Sequence, residues 1–441
     1  MSEVSLGLRV QRIRTWVSDR PLLRRVLGNA GWLAAERILR LGLGVLLSAW
    51  TARYFGPAQF GLLNFSLAIV LVFSIFAALG LETVVVRDLV RMPERSAQIL
   101  ASAWVLRVAG ALVGIVACVT AIGLLRPDES TTAQVVGVLA LGLLPQTMDV
   151  VVHRYQAAMH ARPVIIIRSA AFLVFAGVRS LILLKHGSLL DLALASTAEV
   201  LFAAMLLGYL GYRDGNVLRV SQATAAECVR LLRQCWPLAI STLSVAIYMR
   251  IDQLMLGELA GDRAVGVFSA AVRISEAWYF IPMALTVSIA PALAASYVKS
   301  EDGYRAMLER FGRSMVRIAI GVALLLSLLA PQLMRLVYGP EYGESAQVLA
   351  IHAWAGVLVC LGILGNDWLL NAGLVRFSMY QAMAGAAVSV LLNLWLIPAY
   401  GVAGAALSTL GGYLVSALVM NSLAAATRPI FFLQLRAFRW D

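Results

Sequence analysis

Charge is scarce in this chain of 441 residues, only 14% of which are Asp, Glu, Lys or Arg, against roughly 25% in soluble globular domains. Apolar residues take the place of charge, at 61% of the chain with a mean hydropathy of +0.82, which excludes a soluble domain. Cysteine is equally thin. The four cysteines, Cys118, Cys228, Cys235 and Cys360, lie in two apolar stretches and one basic segment without metal-ligand spacing, so no disulfide framework is implied. His153, His160, His186 and His352 form no metal-binding pattern with Cys or acids. No G-x-x-x-x-G-K-[ST] loop occurs, so the chain does not hydrolyse nucleotide by itself, and no cofactor is expected. The first 29 residues hold six arginines and no apolar core, which is not a cleavable signal peptide; the first span must act as its own address.

Long apolar runs are what the sequence has instead. Twelve stretches of about the length needed to cross a hydrocarbon core recur, at 30–52, 61–80, 97–125, 133–152, 163–184, 189–212, 236–257, 264–296, 314–337, 345–370, 376–397 and 402–424. The alternating pattern of barrel strands is absent, so the spans read as helices and the fold as all-α integral membrane. With a cytoplasmic N-terminus, 24 Lys and Arg fall on the inner side and five, Arg53, Arg126, Lys185, Arg263 and Arg335, on the outer side. That asymmetry predicts both termini in the cytoplasm and argues against a nucleic-acid binder, whose cations would cluster on one exposed face.

The longest inner connection splits the spans six and six. The domains expected are a basic N-terminal segment (1–29), an N-lobe (30–212), a linker (213–235), a C-lobe (236–424) and a tail (425–441). In the linker, Thr224 with Glu227 reads as a capping box that starts a short amphipathic helix on the inner membrane surface, with Cys228, Leu231, Leu232 and Cys235 on its apolar face. Both halves begin with similar hairpins. "RYFGPAQFGLLNFSLAI" (53–69) and "LGELAGDRAVGVFSAAVRI" (256–274) each put one glycine in the turn and another at the start of the next span. This weak repeat predicts two parallel six-helix lobes around a central cavity.

Seven cations, Arg37, Arg40, Arg107, Arg168, Arg179, Arg250 and Arg273, and six acids, Glu36, Asp149, Glu199, Asp252, Glu276 and Asp367, fall inside spans. A charge at the bilayer centre costs at least ~2.5 kcal/mol, so these residues must face protein or a water-filled cavity. Arg250 and Asp252 lie about 200° apart around one helix, so each must find its neighbour on another helix, across the cavity between the halves.

The turns "RYFGPAQFG" and "VYGPEY" and the segments "MRIDQLMLG" and "LLNLWLIPAYGVAGAA" (391–406) resemble the polysaccharide or oligosaccharide flippases. That group belongs to the superfamily of multidrug, oligosaccharidyl-lipid and polysaccharide exporters. Asn393, Ile397, Pro398, Tyr400, Gly401 and Gly404-Ala405-Ala406 carry the most specific part of the likeness. The resemblance implies a V-shaped bundle in the inner (cytoplasmic) membrane. It would flip undecaprenyl-diphosphate-linked repeat units to the outer leaflet for O-antigen or exopolysaccharide biosynthesis, beside the polymerase and chain-length proteins of its pathway.

For a diphosphate cargo, guanidinium is the expected ion, because it stays charged and binds phosphate oxygens in pairs. Arg40, Arg107 and Arg273 lie on the order of 15 Å from their span ends, near the midplane. They form the expected binding set, with Arg37 at the cytoplasmic approach and Arg250. Structural pairs of Glu36 with Arg40 and of Glu276 with Arg273 are the alternative. Arg168, Phe172, Phe175 and Arg179 fall on one helical stripe, as a cavity wall with rings for sugars or as plain packing. Glu36, Asp149, Glu199, Asp252, Glu276 and Asp367 are the candidates for coupling to a proton or sodium gradient. Two competing functions are a multidrug or cation exporter of the same superfamily, which should carry acids without matching arginines, and a membrane glycosyltransferase or polymerase, which needs a long outer loop that this sequence lacks.

Overall fold

The structure is a computed structural model that describes residues 21–215 and 219–439, with side chains from Leu39 onward except at a few helix positions. Arg37 and Glu36 lie outside the described side chains. Seventeen α-helices follow in order: α1 (Pro21–Ala78), α2 (Leu81–Arg91), α3 (Ser96–Leu125), α4 (Ser130–Leu141), α5 (Leu143–Gln146), α6 (Asp149–Ala157), α7 (Ala161–Leu184) and α8 (Leu189–Arg213) come first. Then come α9 (Ala225–Ala260), α10 (Asp262–Glu276), α11 (Phe280–Lys299), α12 (Glu301–Val337), α13 (Ser345–His352), α14 (Ala355–Asn371), α15 (Val375–Leu414), α16 (Met420–Leu423) and α17 (Arg428–Arg436). No strand occurs among the described residues. Nine helical stretches among them are long and apolar enough to cross a membrane, where the sequence predicts twelve.

Two of the nine are interrupted. In α1 the helix breaks at Gly56 (φ 72, ψ 173), directly before Pro57. In α15 it breaks at Gly401 (φ 55, ψ −130). There the chain doubles back, for a Cβ on Gly404 would sit 2.0 Å from the carbonyl oxygen of Leu396. Helix α9 is not among the nine, and it carries Arg250 and Asp252 within its apolar length.

The linker helix differs from its expected form. Thr224 caps it by accepting from the Glu227 amide at 3.3 Å. From there the helix runs without a stop to Ala260. Most of its apolar face meets protein: Leu231 and Cys235 pack with Leu81, Val85, Ile99 and Val150, while Leu232 stays exposed. Glu227, 2% exposed, binds Arg230 and Arg95, and Arg230 reaches Asp88 at 2.8 Å. Helix α9 is therefore tied at one end to the first half of the chain by buried charge.

The two similar hairpins adopt the same turn and touch each other. Gly261 (φ 82, ψ 170) repeats the conformation of Gly56, which a side chain would strain. A Cβ on Gly61 would lie 1.7 Å from the Asp262 carbonyl oxygen, and one on Gly266 would lie 1.9 Å from that of Pro57. Around this crossing Phe60, Phe65, Leu256, Val265, Phe268, Tyr338, Tyr342 and Ile397 share one core, and the Tyr342 hydroxyl donates to the Ala52 carbonyl at 3.0 Å. Close packing of this kind does not absorb added atoms, and overpacking costs about 1–3 kcal/mol or more. Gly266→Val should therefore lower the melting temperature and membrane abundance sharply. Gly42→Ala, where nothing lies within 4 Å of the added Cβ, should be neutral or slightly stabilising, as read by fluorescence-detected size exclusion after heating.

Candidate functional site

Three cavities share lining residues in the membrane-embedded part. The first, of about 240 Å³, lies between α1 (Arg40, Gly44), α9 (Met249) and the α10–α11 junction (Arg273, Glu276, Tyr279). The second, of about 340 Å³, is lined by Arg40, Gln146, Asp149, Arg168 and Glu199. The third, of about 320 Å³, is lined by Glu82, Arg107, Gln146, Asp149, His153, Gln156 and Arg168. Arg40 is common to the first and second; Gln146, Asp149 and Arg168 are common to the second and third. These shared side chains set the three cavities in a row, a tract that begins at a largely apolar pocket holding Arg40, Arg273 and Glu276 and becomes more polar among α6, α7 and α8.

The expected arginine triad is divided along this tract. Arg40 donates to the Arg168 carbonyl at 2.8 Å and lies 5.2 Å from the centre of the Phe172 ring, a cation–π contact. Arg273 lines the same first cavity, is exposed to it, and makes no ion pair or hydrogen bond among the described residues. Arg107 stands apart in the third cavity. It is 5% exposed and approaches His153 Nε2 at 3.4 Å and the Gln146 carbonyl at 3.2 Å, and its Nε has no partner. Arg40 and Arg273 thus line one cavity and Arg107 another, for midplane depth fixes height in the membrane and not the direction around a helix.

The acids find partners the spacing did not indicate. Glu276 pairs with Arg250 at 3.9 Å rather than with Arg273, three residues away. Arg179 pairs with Glu199 at 2.7 Å, and Arg168 with Asp149 at 2.7 Å. Phe175 packs on Phe202 at 6.0 Å, and neither Phe172 nor Phe175 lines any of the three cavities. Of the stripe, Arg168 alone is a wall residue of the tract. The Asp367 side chain has a buried oxygen without a hydrogen-bond partner and lies outside the tract.

Asp252 answers to the opposite side of α9 from Arg250, as the helical angle requires, but its partners are not across the seam. It is 2% exposed and held by Thr409 on one oxygen and by Asn393 and Ser389 on the other, all from α15. Asn393 Oδ1 is buried beside it without a partner. One carboxylate among hydroxyl and amide oxygens offers a single negative charge to a small cation or a proton. Among the described residues no group of three or more His, Cys, Asp and Glu is placed to hold a metal ion.

Sequence reasoning missed Arg126, which appeared only as one of five outer cations. At the end of α3 it donates to Glu258 at 2.8 Å, Asp262 at 2.8 Å, Glu129 at 3.1 Å and the Gly257 carbonyl at 2.9 Å, with Phe65 under its guanidinium at 3.9 Å. The Thr132 hydroxyl, with Arg126 beside it, holds the Glu129 carboxyl below its usual range. Four partners from two halves of the chain meet at one side chain, which fastens the glycine crossing shut. Ser389 and Thr409 were missed as well, since hydroxyls inside apolar helices carry no sequence signal of their own.

The fold is that of the MOP-superfamily transporters. A multidrug-resistance MATE transporter in an inward-facing conformation superposes with a TM-score of 0.71 at 15% identity, covering 91% of this chain and 99% of that one. Lipid II flippase MurJ in an inward closed conformation gives 0.70 at 12% identity, covering 93% and 90%. Residues 26–297 match the polysaccharide biosynthesis protein family, and the chain belongs to it; residues 237–395 also match the MatE family. Relatives include the capsular polysaccharide biosynthesis protein CapF of Staphylococcus aureus, 26% identical over 176 residues covering 39% of this chain and 44% of that protein. Another is the probable flippase AglR of Haloferax volcanii, 26% identical over 258 residues covering 55% and 53%. The chain spans about half the length of these curated relatives.

Proposed function

We propose that this chain is a flippase that moves an undecaprenyl-diphosphate-linked oligosaccharide from the inner to the outer leaflet by alternating access, for O-antigen or exopolysaccharide biosynthesis. The observation that carries this reading is Arg273. A guanidinium that lines a cavity together with Arg40 and has no counter-ion among the described residues is a site for an anion, and its paired donors suit a phosphate. Glu276, the acid in that cavity, is engaged by Arg250, so the cavity favours anions over cations. Membership in the polysaccharide biosynthesis family and the name of AglR support the same cargo. The MATE-like fold fits a multidrug exporter equally well, but a cationic drug would meet two arginines there.

The charge asymmetry supports an inner-membrane chain with both termini cytoplasmic, and the breaks at Gly56 and Gly401 together with α9 support twelve spans. In that orientation the Arg126 cluster is an outer seal. Asp252 is our choice as the coupling site among the candidate acids, because its shell supplies oxygens that can rearrange around a proton or sodium ion.

Arg40→Ala and Arg273→Ala should each stop export and leave lipid-linked saccharide on the inner leaflet, with Lys rescuing only partly because it lacks the paired donors. For Arg273→Ala protein abundance should stay normal. Arg250→Ala should instead lower abundance by freeing Glu276, and Glu276→Gln in the same chain should restore it; full export by Arg273→Ala would remove the anion site. Asp252→Asn should retain binding of the lipid diphosphate while export loses its dependence on the proton or sodium gradient, measured in proteoliposomes under imposed gradients. Reporter fusions at Glu129, Asp262 and Glu341 should all read the outer side, and one clear cytoplasmic signal breaks the topology.

A further inference from the structure

We infer that the second and third cavities form a saccharide subsite, separate from the anion site at Arg40 and Arg273, that binds the sugar nearest the diphosphate through paired hydrogen-bond donors and acceptors. This rests on the flippase reading and adds to it a division of the cargo. The third cavity is balanced in charge, with Glu82 and Asp149 against Arg107 and Arg168. A second anion gains little from such a wall. A hydroxyl, which donates and accepts at once, gains from both signs.

The unspent groups have this pattern. Asp149 gives one oxygen to Arg168 at 2.7 Å, and its other oxygen makes no hydrogen bond among the described residues. Glu82 accepts from Gln156 at 2.9 Å through one oxygen, and its second is likewise uncommitted. Arg107 spends two nitrogens on neutral partners and leaves its buried Nε without one. A permanent cation buried without an ion pair carries an uncompensated desolvation cost, which a ligand acceptor would offset. Carboxylate oxygens and guanidinium N–H groups side by side match neighbouring hydroxyls of a sugar ring.

Size and connection agree with this use. Cavities of about 340 and 320 Å³ lie in the range, roughly 300–1,000 Å³, of small-molecule sites. Arg40 lines both the first and second cavities, so a sugar joined to a diphosphate held there enters the tract directly. Glu82 and Gln156 belong to the third cavity alone and would read the far side of the ring.

The test uses the purified full chain and two probes, a polyprenyl diphosphate and the same lipid diphosphate carrying one hexose, with dissociation constants measured in detergent micelles. For the unaltered protein the hexose should tighten binding about tenfold or more, as expected for one or two hydrogen bonds to charged groups. The Glu82→Leu/Gln156→Leu variant, altered at exposed cavity positions, and Arg107→Gln should lose that gain and bind the bare diphosphate normally. Arg273→Ala should lose both probes. The subsite is overturned if the hexose adds nothing, or if Arg107→Gln weakens the bare diphosphate as much as Arg273→Ala does, which would make Arg107 a diphosphate ligand. If the unaltered protein binds neither probe, the flippase reading falls and takes the subsite with it.

Discussion

A guanidinium cannot shed its charge inside a membrane, so every arginine in a span must be given an acid, a carbonyl, a ring or a ligand. Most of this architecture can be read as the settlement of that demand. Arg179 takes Glu199, Arg168 takes Asp149, Arg250 takes Glu276, and Arg40 takes a backbone carbonyl and a phenyl ring. Among the described residues Arg273 and Arg107 are left without acids, and both line cavities. The residues that packing leaves unsettled thus mark where cargo chemistry belongs.

The halves of the chain divide the work unevenly. Polar volume collects in the first half, among α3, α6, α7 and α8. The second half instead closes Asp252 into a buried shell of α15 side chains. Helix α9 belongs to both, with Leu231 and Cys235 packed among residues of the first half and Leu256 in the core that the halves share. A change in the shell of Asp252 therefore acts on a helix whose other end is anchored by Glu227 and Arg230 to the first half.

Much of this was legible in the sequence, for reasons that also mark where legibility stops. Apolar length announces spans, and Gly-Pro announces the break at Gly56. The two-residue spacing of Arg250 and Asp252 required different partners, and they have them. What spacing could not supply was identity. Asp252 meets Asn393, 141 residues away, and Arg126 meets Asp262, 136 residues away, contacts that depend on how helices are assembled. Local periodicity also left two readings of one pattern open: Phe172 and Phe175 sit on a stripe with Arg168 and Arg179, and in the structure one ring lies under Arg40 and the other packs on Phe202. The linker helix has an apolar face because protein covers it, and a membrane surface would demand the same face.

The glycine crossing has a meaning beyond tight packing. Gly56, Pro57 and Gly61 correspond, position for position, to Gly261, Asp262 and Gly266. The contacts are reciprocal under that correspondence: Gly61 meets the carbonyl of Asp262, and Gly266 meets the carbonyl of Pro57. Reciprocity of this kind is the signature of an isologous interface, in which one surface patch recognises its own copy across a two-fold axis. A local dyad therefore passes between the two hairpins. The geometry is that of a symmetric dimer contact held within a single polypeptide, as duplication and fusion of a self-associating hairpin would leave it.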